Sequence, residues 1–487
     1  MVPHTEITRQ DLLCLDYDAN QPFTVLLADG STLYCEKVIR IVPQRRVVVF
    51  ATWNNKPVVA KLLFSQRGLE QFTREVVGIQ TLVRNSIPTP TLYFSDTSDD
   101  KRFYVLIFER IVNAFSVDTY MHTMVNDMER AVLIETLVME LATQHALGIV
   151  QHDLHLKNFL YKKTFDDYEN PVLYTLDGAQ VEQRQAPLEK KASIENLALL
   201  LSQLSITLED EQEKLFQYYT RLRGWISKDN QIGKLKQIIA YWHRYRWQRY
   251  KKKIFRSCSQ FAKFKYQHWR GMMERSFQSP TLVQFLHNPE AIFSHPDTVI
   301  LKAGRSATVV KVTMDSHVLV VKRYNIKNWG HRLCRALRTT RARKSWYMAQ
   351  KLYFFGIPTA KVVAYIEQRC LGLHGKSYLV MEWVPGVRGD VFFSQSIDVF
   401  SIVKSLLLLI VNLAKLKMTH GDWKITNIFI NQYQRPLFID LDGMREHKYM
   451  GFLRKKLNKE IQRLLDNFRD QPEIQQVFMR VFAEEMR

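Results

Sequence analysis

Two segments of the sequence place an aspartate five residues before an asparagine, as Asp153 with Asn158 and Asp422 with Asn427. Such a pair, followed by a hydrophobic strand and a further aspartate, suits phosphoryl transfer. The first aspartate can accept the proton of an acceptor hydroxyl, while the asparagine and the later aspartate offer the oxygen ligands that Mg²⁺ prefers. One pair with this spacing is a weak signal, and its recurrence makes the signal strong.

The C-terminal pair lies within a nearly complete set of residues for this chemistry. Asp422 is the predicted base, and Lys424 is the predicted contact to the γ-phosphate. Asn427 and Asp440 are the predicted Mg²⁺ ligands. Three further residues are predicted to bind ATP: Lys322 at the α/β-phosphates, Gly304 in a phosphate loop, and Glu382 at a strand end beside the adenine. Lys322 and Glu382 also have a purely structural interpretation, as a strand-edge lysine and a solvated strand end.

The N-terminal pair lies in a comparable but less complete set. Lys61 and Glu75 are predicted to form the ion pair between a strand lysine and a helix glutamate that serves nucleotide binding. Asp153 is the predicted base, and Asn158 is a predicted Mg²⁺ ligand. No glycine lies between residues 35 and 58, where a phosphate loop is expected. Catalysis is therefore favoured for the C-terminal set.

The later aspartate of the N-terminal set has two interpretations. Matching the Asp-Gly pair at Asp177 with the pair at Asp442 puts Thr175 opposite the predicted ligand Asp440. Either Asp177 binds the metal in a shifted register, or this set does not catalyse.

Two positions of the C-terminal set also need explanation. Ser345 stands where the N-terminal set has Glu75, so Lys322 lacks the obvious helix carboxylate as a partner. Asp442 is either a second metal contact or a turn residue, and the turn is the favoured interpretation.

The two sets belong to a repeated sequence pattern. The aspartates lie 422 − 153 = 269 positions apart, the Ile-Pro-Thr segments 358 − 88 = 270, and the strand lysines 322 − 61 = 261. Three features at nearly one offset indicate a duplicated domain. The predicted fold class is α+β, with two tandem bilobal protein-kinase-like domains over residues 1–225 and 281–487, joined by a basic helical connector over residues 226–280.

Local patterns predict the elements that position these residues. Clusters of β-branched and aromatic residues around turn candidates predict hairpins over residues 47–63 and 308–324. Apolar periodicity and following prolines predict helices over residues 70–84, 333–354, 128–146 and 399–417.

Composition restricts the possible partners and compartment. The formal net charge of +21 favours polyanionic partners such as nucleic acid, anionic lipid or a phosphorylated glycolipid. The five cysteines form no Cys-x-x-Cys pair, which argues against a zinc site and fits a reducing compartment. The sequence has neither a signal-peptide layout nor an apolar run of about 18 residues, so a cytoplasmic location is expected.

The segment from Tyr241 to Arg275 interleaves basic and aromatic residues. One interpretation is a solvated basic helix that packs its rings on a neighbouring lobe. The other is a helix on an anionic membrane surface, with its rings at the interface. The sequence gives the two about equal weight.

In these residues the sequence resembles the bacterial lipopolysaccharide core kinase family, which includes the Kdo and core heptose kinases. The resemblance is carried in the C-terminal half by residues 299–304, 321–325, 341–346, 356–359, 420–422 and 438–442, and less closely in the N-terminal half by residues 58–61, 152–154 and 179–180. It implies ATP- and Mg²⁺-dependent phosphorylation of a sugar hydroxyl on the lipid-anchored inner core. It also implies peripheral association with the cytoplasmic face of the inner membrane.

Two other classes of function compete with this expectation. A tandem pseudokinase scaffold would bind a glycolipid or a partner enzyme without catalysis. Nucleic-acid binding through the basic connector is the least favoured alternative, because no nucleic-acid module accompanies the charge.

Overall fold

The computed structural model describes residues 6–123, 127–162, 172–209, 211–226, 229–325, 338–370, 373–395 and 399–485. The chain divides into two compact units, one of Met1–Gln203 with Asp210–Arg244 and one of Leu204–Glu209 with Tyr245–Arg487. Both combine an antiparallel sheet with helices, so the α+β prediction is confirmed. Among the described helices, none is long and apolar enough to cross a membrane.

The first unit is built on a six-stranded sheet in the order β1-β2-β3-β4-β6-β5, with antiparallel neighbours. Its inward-facing side chains form a dry cluster that includes Val49, Val58, Ala60 and Ile107. The strands are β1 Phe23–Leu26, β2 Thr32–Val42, β3 Arg46–Trp53, β4 Lys56–Leu63, β5 Leu92–Thr97 and β6 Tyr104–Glu109.

Helices and short strands follow that sheet in the first unit. The helices are α1 Arg9–Cys14, α2 Gly68–Arg84, α3 Val117–Thr123, α4 Asp127–Ala146, α5 Lys190–Leu201 and α6 Glu211–Leu222. The short strands are β7 Ala114–Ser116, β8 Ile149–Gln151, β9 Phe159–Lys162, β10 Val172–Thr175 and β11 Val181–Gln183.

The second unit is built on a seven-stranded sheet in the order β12-β13-β17-β18-β16-β15-β14. Its core includes Val310, Val321, Val363 and Val380. The strands are β12 Phe261–Tyr266, β13 Trp269–Glu274, β14 Val299–Ala303, β15 Ala307–Met314, β16 His317–Tyr324, β17 Val362–Cys370 and β18 Leu373–Glu382.

The remaining elements run in the same order as in the first unit. The helices are α7 Asp229–Lys253, which runs from the first unit into the second, α8 Pro280–His287, α9 Arg341–Phe354, α10 Gly389–Gln395, α11 Phe400–Lys415, α12 Met450–Asp466 and α13 Pro472–Glu485. The short strands are β19 Gly386–Arg388, β20 Met418–Thr419, β21 Ile428–Asn431, β22 Pro436–Phe438 and β23 Arg445–Glu446.

Both predicted hairpins are confirmed, together with their turns. Asn54 and Asn55 join β3 to β4 with φ of 48° and 60°, and Asp315 joins β15 to β16 with φ of 51°. Asparagine and aspartate tolerate this left-handed backbone better than other residues with a Cβ. The four predicted helices are present as α2, α4, α9 and α11, but α9 begins at Arg341 after the N-cap Thr340, so the prediction is wrong for residues 338–340. The part of the predicted helix over residues 333–337 lies outside the described residues.

The prediction of a helical connector over residues 226–280 is wrong at its C-terminal end. Phe261–Tyr266 and Trp269–Glu274 pair as a hairpin, and the second of these strands pairs with β17 in the sheet of the second unit. Ala262 and Phe264 on the first strand, and Trp269 and Met273 on the second, lie on one face of the hairpin and are buried in the core of the second unit. This period of two is typical of a sheet face rather than a helix stripe.

His145 on α4 is buried among three helices of the first unit. Its Nδ1 lies 2.6 Å from the hydroxyl of Tyr219 on α6, and its Nε2 lies 3.0 Å from Oδ1 of Asn196 on α5. Burial lowers the pKa of His145 to about 4, although the hydrogen bond to Asn196 opposes that shift. The imidazole is therefore neutral at pH 7.

This burial predicts a loss of stability in acid. Because the unfolded imidazole binds a proton below pH ~6.5 and the folded one only below about 4, the free energy of unfolding should fall by about 1.4 kcal/mol per pH unit within that window. Urea denaturation of the full chain at a series of pH values measures the slope. His145→Gln should flatten it. Equal slopes in wild type and His145→Gln would contradict the assignment.

Candidate active site

In the second unit the sheet presents Lys322 to a carboxylate that follows β22. Lys322 lies on β16 and is only 6 % exposed. Its Nζ lies 2.7 Å from Oδ1 of Asp440 and 3.9 Å from Oδ2 of Asp442. Burial acts to lower the pKa of Lys322, but the neighbouring Tyr324 and the two carboxylates raise it above its usual value. The ammonium of Lys322 in turn lowers the pKa of Asp440, against the opposing effect of burial.

The loop that carries the predicted base is stabilised by hydrogen bonds from its own asparagine. Nδ2 of Asn427 donates to the backbone oxygen of Asp422 at 2.9 Å and to its Oδ2 at 3.1 Å. Lys424 Nζ lies 3.7 Å from Oδ1 of Asp422. The amide of Ile439 donates to the carbonyl of Asn427 at 3.3 Å, which fixes this loop beside the segment that carries Asp440. The structure therefore brings the predicted base and both predicted metal ligands into one hydrogen-bonded region.

The other two predicted nucleotide contacts lie on the sheet. Gly304 occupies the turn between β14 and β15, where its amide donates to the carbonyl of Ala307 at 3.0 Å. Glu382 ends β18, three residues beyond Leu379, which pairs with Lys322. In the described part of the chain, neither residue contacts the catalytic loop directly.

Two charged residues that sequence reasoning missed support the catalytic loop from α12. The buried carboxylate of Glu460 accepts the backbone N–H groups of His420, at 3.1 Å, and Gly421. Arg463 Nη1 lies 3.1 Å from Oδ1 of Asp422. Gly421 has φ of +85°, so the loop uses a backbone conformation that favours glycine. A Glu and an Arg three positions apart on an amphipathic helix share a face, but that spacing alone does not point to this loop.

The helix position opposite Lys322 holds no carboxylate, as the sequence predicted. Ser345 on α9 is fully buried, and its hydroxyl lies 3.1 Å from that of Tyr324. Asp442 instead supplies a negative charge near Lys322 and forms an ion pair with Arg341 of α9. Lys344 donates to the backbone oxygen of Asp442 at 2.8 Å. Asp442 is thus more than the turn residue that the sequence favoured.

In the first unit the predicted ion pair between Lys61 and Glu75 is present. Glu75 is 3 % exposed, and its Oε1 also accepts the backbone N–H of Gly178 at 3.1 Å. Lys61 Nζ lies 3.9 Å from Oδ1 of Asp177. Glu75 therefore ties the strand lysine to the segment that carries the later aspartate.

The structure resolves the register of that aspartate. The amide of Leu176 donates to Asn158 in the first unit as that of Ile439 donates to Asn427 in the second. Asp177, one residue beyond Leu176, therefore corresponds to Asp440, and the alignment that put Thr175 at the metal position is wrong. Matching the Asp-Gly pairs put Asp177 opposite Asp442, which lies 442 − 440 = 2 residues beyond its counterpart. The asparagine and the aspartate are separated by 177 − 158 = 19 residues in one unit and by 440 − 427 = 13 in the other.

The rest of the first catalytic loop differs in charge. Nδ2 of Asn158 donates to the backbone oxygen of Asp153 at 2.9 Å, as in the second unit. His155 stands at the position of Lys424, and its side chain accepts the amide of Lys157 at 3.2 Å. The predicted γ-phosphate lysine thus has no counterpart at this position.

Strand register places one further basic residue on the same sheet face as each strand lysine, two strands away. Arg40 pairs with Val48, which pairs with Lys61, so Arg40 and Lys61 share a face of the first sheet. Lys302 and Lys322 stand in the same relation in the second sheet, through Val309. Burial lowers the pKa of Arg40, whereas Asp177 and Asp153 oppose that shift. The sequence did not identify these residues, because the pairing partner is set by the fold.

The donor set of the second unit fits Mg²⁺. Asn427 uses its nitrogen for Asp422, which leaves its amide oxygen as an acceptor, and Asp440 has a second carboxylate oxygen. Mg²⁺ in nucleotide sites is held by one or two protein oxygens together with phosphates and water. The described residues contain no cluster of three or more His, Cys, Asp or Glu side chains, so a site built from protein ligands alone is not indicated there.

Comparison with known families agrees with this geometry. A model of the lipopolysaccharide kinase (Kdo/WaaP) family matches residues 53–219 and 294–482. The chain belongs to this family. The first match contains Lys61 through Asp177, and the second contains Lys322 through Asp440. A search of curated proteins finds no match. Membership of the Kdo/WaaP family implies an ATP-using phosphotransferase of lipopolysaccharide biosynthesis, which confirms the resemblance found in the sequence.

A tight contact between two glycines in the first unit leads to a stability prediction. A Cβ on Gly78 of α2 would overlap the carbonyl oxygen of Gly178, next to Asp177. Gly78→Ala should therefore lower the free energy of unfolding by about 1–3 kcal/mol through overpacking. Gly233→Ala is the matched control, because nothing lies within 4 Å of a Cβ there and a helical glycine costs roughly 0.5–1 kcal/mol relative to alanine. Chemical denaturation compares them, and stabilisation by both would contradict the contact.

The support from α12 leads to a kinetic prediction. Glu460→Gln keeps one acceptor oxygen and loses the other, so one of the two loop N–H groups loses its partner. We expect the rate of phosphoryl transfer to fall about 10- to 100-fold through misplacement of Asp422, with the KM for ATP nearly unchanged. Glu473→Gln, an exposed change on α13, is the control. A fall in ATP affinity with an unchanged rate would argue against a positioning role.

Proposed function

We propose that the chain is a tandem of two bilobal kinase-like domains, and that the second phosphorylates a sugar hydroxyl of the lipopolysaccharide inner core with ATP and Mg²⁺. The first domain covers residues 1–225, and the second begins with the β12–β13 hairpin rather than at residue 281. The observation that carries the proposal is the contact of Lys322 with Asp440 beside the Asp422–Asn427 loop. A peripheral position at the cytoplasmic face of the inner membrane belongs to the same proposal.

Each candidate site residue of the second domain has a role in the proposed reaction. Asp422 accepts the proton of the acceptor hydroxyl, while Arg463 and Lys424 lie beside its carboxylate and restrict its orientation. Asn427 and Asp440 would hold Mg²⁺, which when bound neutralises charge on the phosphates. Lys322, with Lys302 on the same sheet face, presents positive charge to the α/β-phosphates.

The periphery of the site would hold the rest of the nucleotide. Gly304 itself has no side chain, so the backbone at this position can approach the phosphates closely. Glu382 ends the strand that lies next to the strand of Lys322, and the backbone there would meet the adenine. Lys424 is the residue proposed to contact the γ-phosphate.

We propose a regulatory or substrate-positioning role for the first domain. Its Lys61–Glu75 pair and Asp177 are arranged for nucleotide phosphates, and Asn158 could share a metal with Asp177. The γ-phosphate lysine is replaced by His155, and the turn between β2 and β3 contains no glycine. These departures favour nucleotide binding without efficient transfer by Asp153.

Nucleotide binding tests the assignment of the two domains. In the full chain, Mg²⁺ and ATP at 100 times Kd should stabilise the native state by about 2.7 kcal/mol, measured as a thermal shift. Asp440→Ala should lose most of the shift, whereas Asp177→Ala, the corresponding change in the first domain, should keep the part due to the second. No shift in wild type would favour a pseudokinase scaffold instead.

Activity separates binding from transfer. Asp422→Ala should retain the thermal shift but lose phosphoryl transfer by about 10²- to 10⁴-fold, the usual contribution of a positioned base. Asp153→Ala is the matched change in the first domain and should leave the rate nearly unchanged. Equal losses in both variants would show that both loops catalyse.

A further inference from the structure

Large apolar side chains at the start of helix α12 are exposed and lie outside the core. Tyr449, Met450 and Phe452 are 65 %, 49 % and 65 % exposed. Leu453 of the same turn is buried and packs this end of the helix on the core, whereas the other three side chains face outward. Large apolar side chains that cluster at an exposed position usually mark an interaction surface.

Basic residues surround these side chains. Between His447 and Glu460 the sequence has five basic residues and no acidic one. The exposed basic residues are Lys448, Arg454, Lys455, Lys456 and Lys459. Within the described parts of the chain, none of the five forms an ion pair. We call Tyr449, Met450 and Phe452 with these five residues the basic–aromatic patch.

The helix period aligns much of this patch on one face. Phe452, Lys455, Lys456 and Lys459 follow the spacing i, i+3, i+4, i+7, which is one side of an α-helix. The buried residues Leu453, Glu460 and Leu464 cluster on an adjacent side, about 100° around the helix from Phe452. Arg463 continues the exposed row to Asp422, so the row of positive charge runs from Phe452 to the candidate base.

The connector that the sequence suggested as a membrane contact is less suited to that role. Trp247 is 6 % exposed, and its ring packs 5.5 Å from that of Phe354 and 5.7 Å from that of Tyr347. Lys251 lies over the ring of Tyr347 at 5.3 Å. These rings fill the interior of the second unit, which favours the packing interpretation for this part of the connector.

We propose that the basic–aromatic patch docks the chain on an anionic lipid bilayer, with the apolar residues in the interface and the lysines at the lipid phosphates. Exposed aromatic side chains next to unpaired basic residues match both layers of such a surface. The proposal deepens the proposed function, on which it rests for the location of the acceptor. Arg463, which contacts Asp422, lies about 16 Å along the helix from Phe452. Docking of this helix would therefore hold Asp422 close to the lipid headgroups.

Cosedimentation of the full chain with vesicles of phosphatidylglycerol and phosphatidylethanolamine tests this proposal without nucleotide or acceptor. Lys455→Gln/Lys456→Gln/Lys459→Gln should weaken binding about 100-fold, since each basic residue near an anionic surface contributes roughly a factor of five. Tyr449→Ser/Phe452→Ser should also weaken binding, at least tenfold, because insertion of the rings is lost. Vesicles of phosphatidylcholine should bind wild type poorly.

Matched variants decide whether the patch or the overall charge is responsible. Arg256→Gln/Lys263→Gln/Lys265→Gln removes the same three charges from exposed positions of the connector and should change binding by less than about threefold. An equal loss in that variant would overturn the proposal in favour of non-specific attraction. Tyr433→Ser, at a position 52 % exposed elsewhere in the second unit, is the control for loss of an aromatic ring and should leave binding unchanged.

Three further outcomes separate this proposal from others. Unchanged vesicle binding in Tyr449→Ser/Phe452→Ser, with tight binding to duplex DNA that depends on the three lysines, would identify the patch as a polyanion site and overturn membrane docking. Loss of vesicle binding in the lysine and aromatic variants of the patch, with normal ATP-dependent thermal shifts, would support docking independently of the reaction. Conversely, absent nucleotide binding with intact, patch-dependent vesicle binding would leave docking supported and the kinase proposal contradicted.

Discussion

The ion pair between Lys322 and Asp440 connects the sheet of the second unit to its catalytic loop. Lys322 is almost fully buried, and an ammonium group at such a position is stable only with a carboxylate beside it. Asp440 follows β22, and Asn427 immediately precedes the neighbouring strand β21, so pairing with Lys322 holds the metal-ligand candidates against the sheet. This contact brings the predicted metal ligands and the lysine proposed to bind the phosphates together beside the predicted base.

The two units pair the corresponding strand lysine with carboxylates in different ways. In the first, Glu75 on α2 pairs with Lys61, and Asp177 stays 3.9 Å away. In the second, the helix offers only Ser345, and Asp440 and Asp442 approach from the loop side. The helix carboxylate also holds the Gly178 amide, a function that has no equivalent at Ser345. The difference gives a physical basis for unequal roles of the two domains in the proposed reaction.

Helix α12 joins two features of the second unit. Its inner face carries Glu460, which holds the amides of the catalytic loop, and its outer face carries the basic–aromatic patch. Support of the loop and the proposed contact with a membrane surface therefore involve the same helix.

The sequence by itself determined most of the local elements and identified most residues of the candidate site. The turn residues of both hairpins, the apolar periods of the helices and the paired Asp-x₄-Asn loops are short-range signals, which chain-local conformational preferences decide. Tertiary structure alone decided which residues meet. The position of Asp177, the support by Glu460 and Arg463, and the β12–β13 hairpin in the sheet depend on loop lengths and on packing between distant segments. No local pattern encodes these contacts, because burial and strand register are settled only when the whole unit is folded.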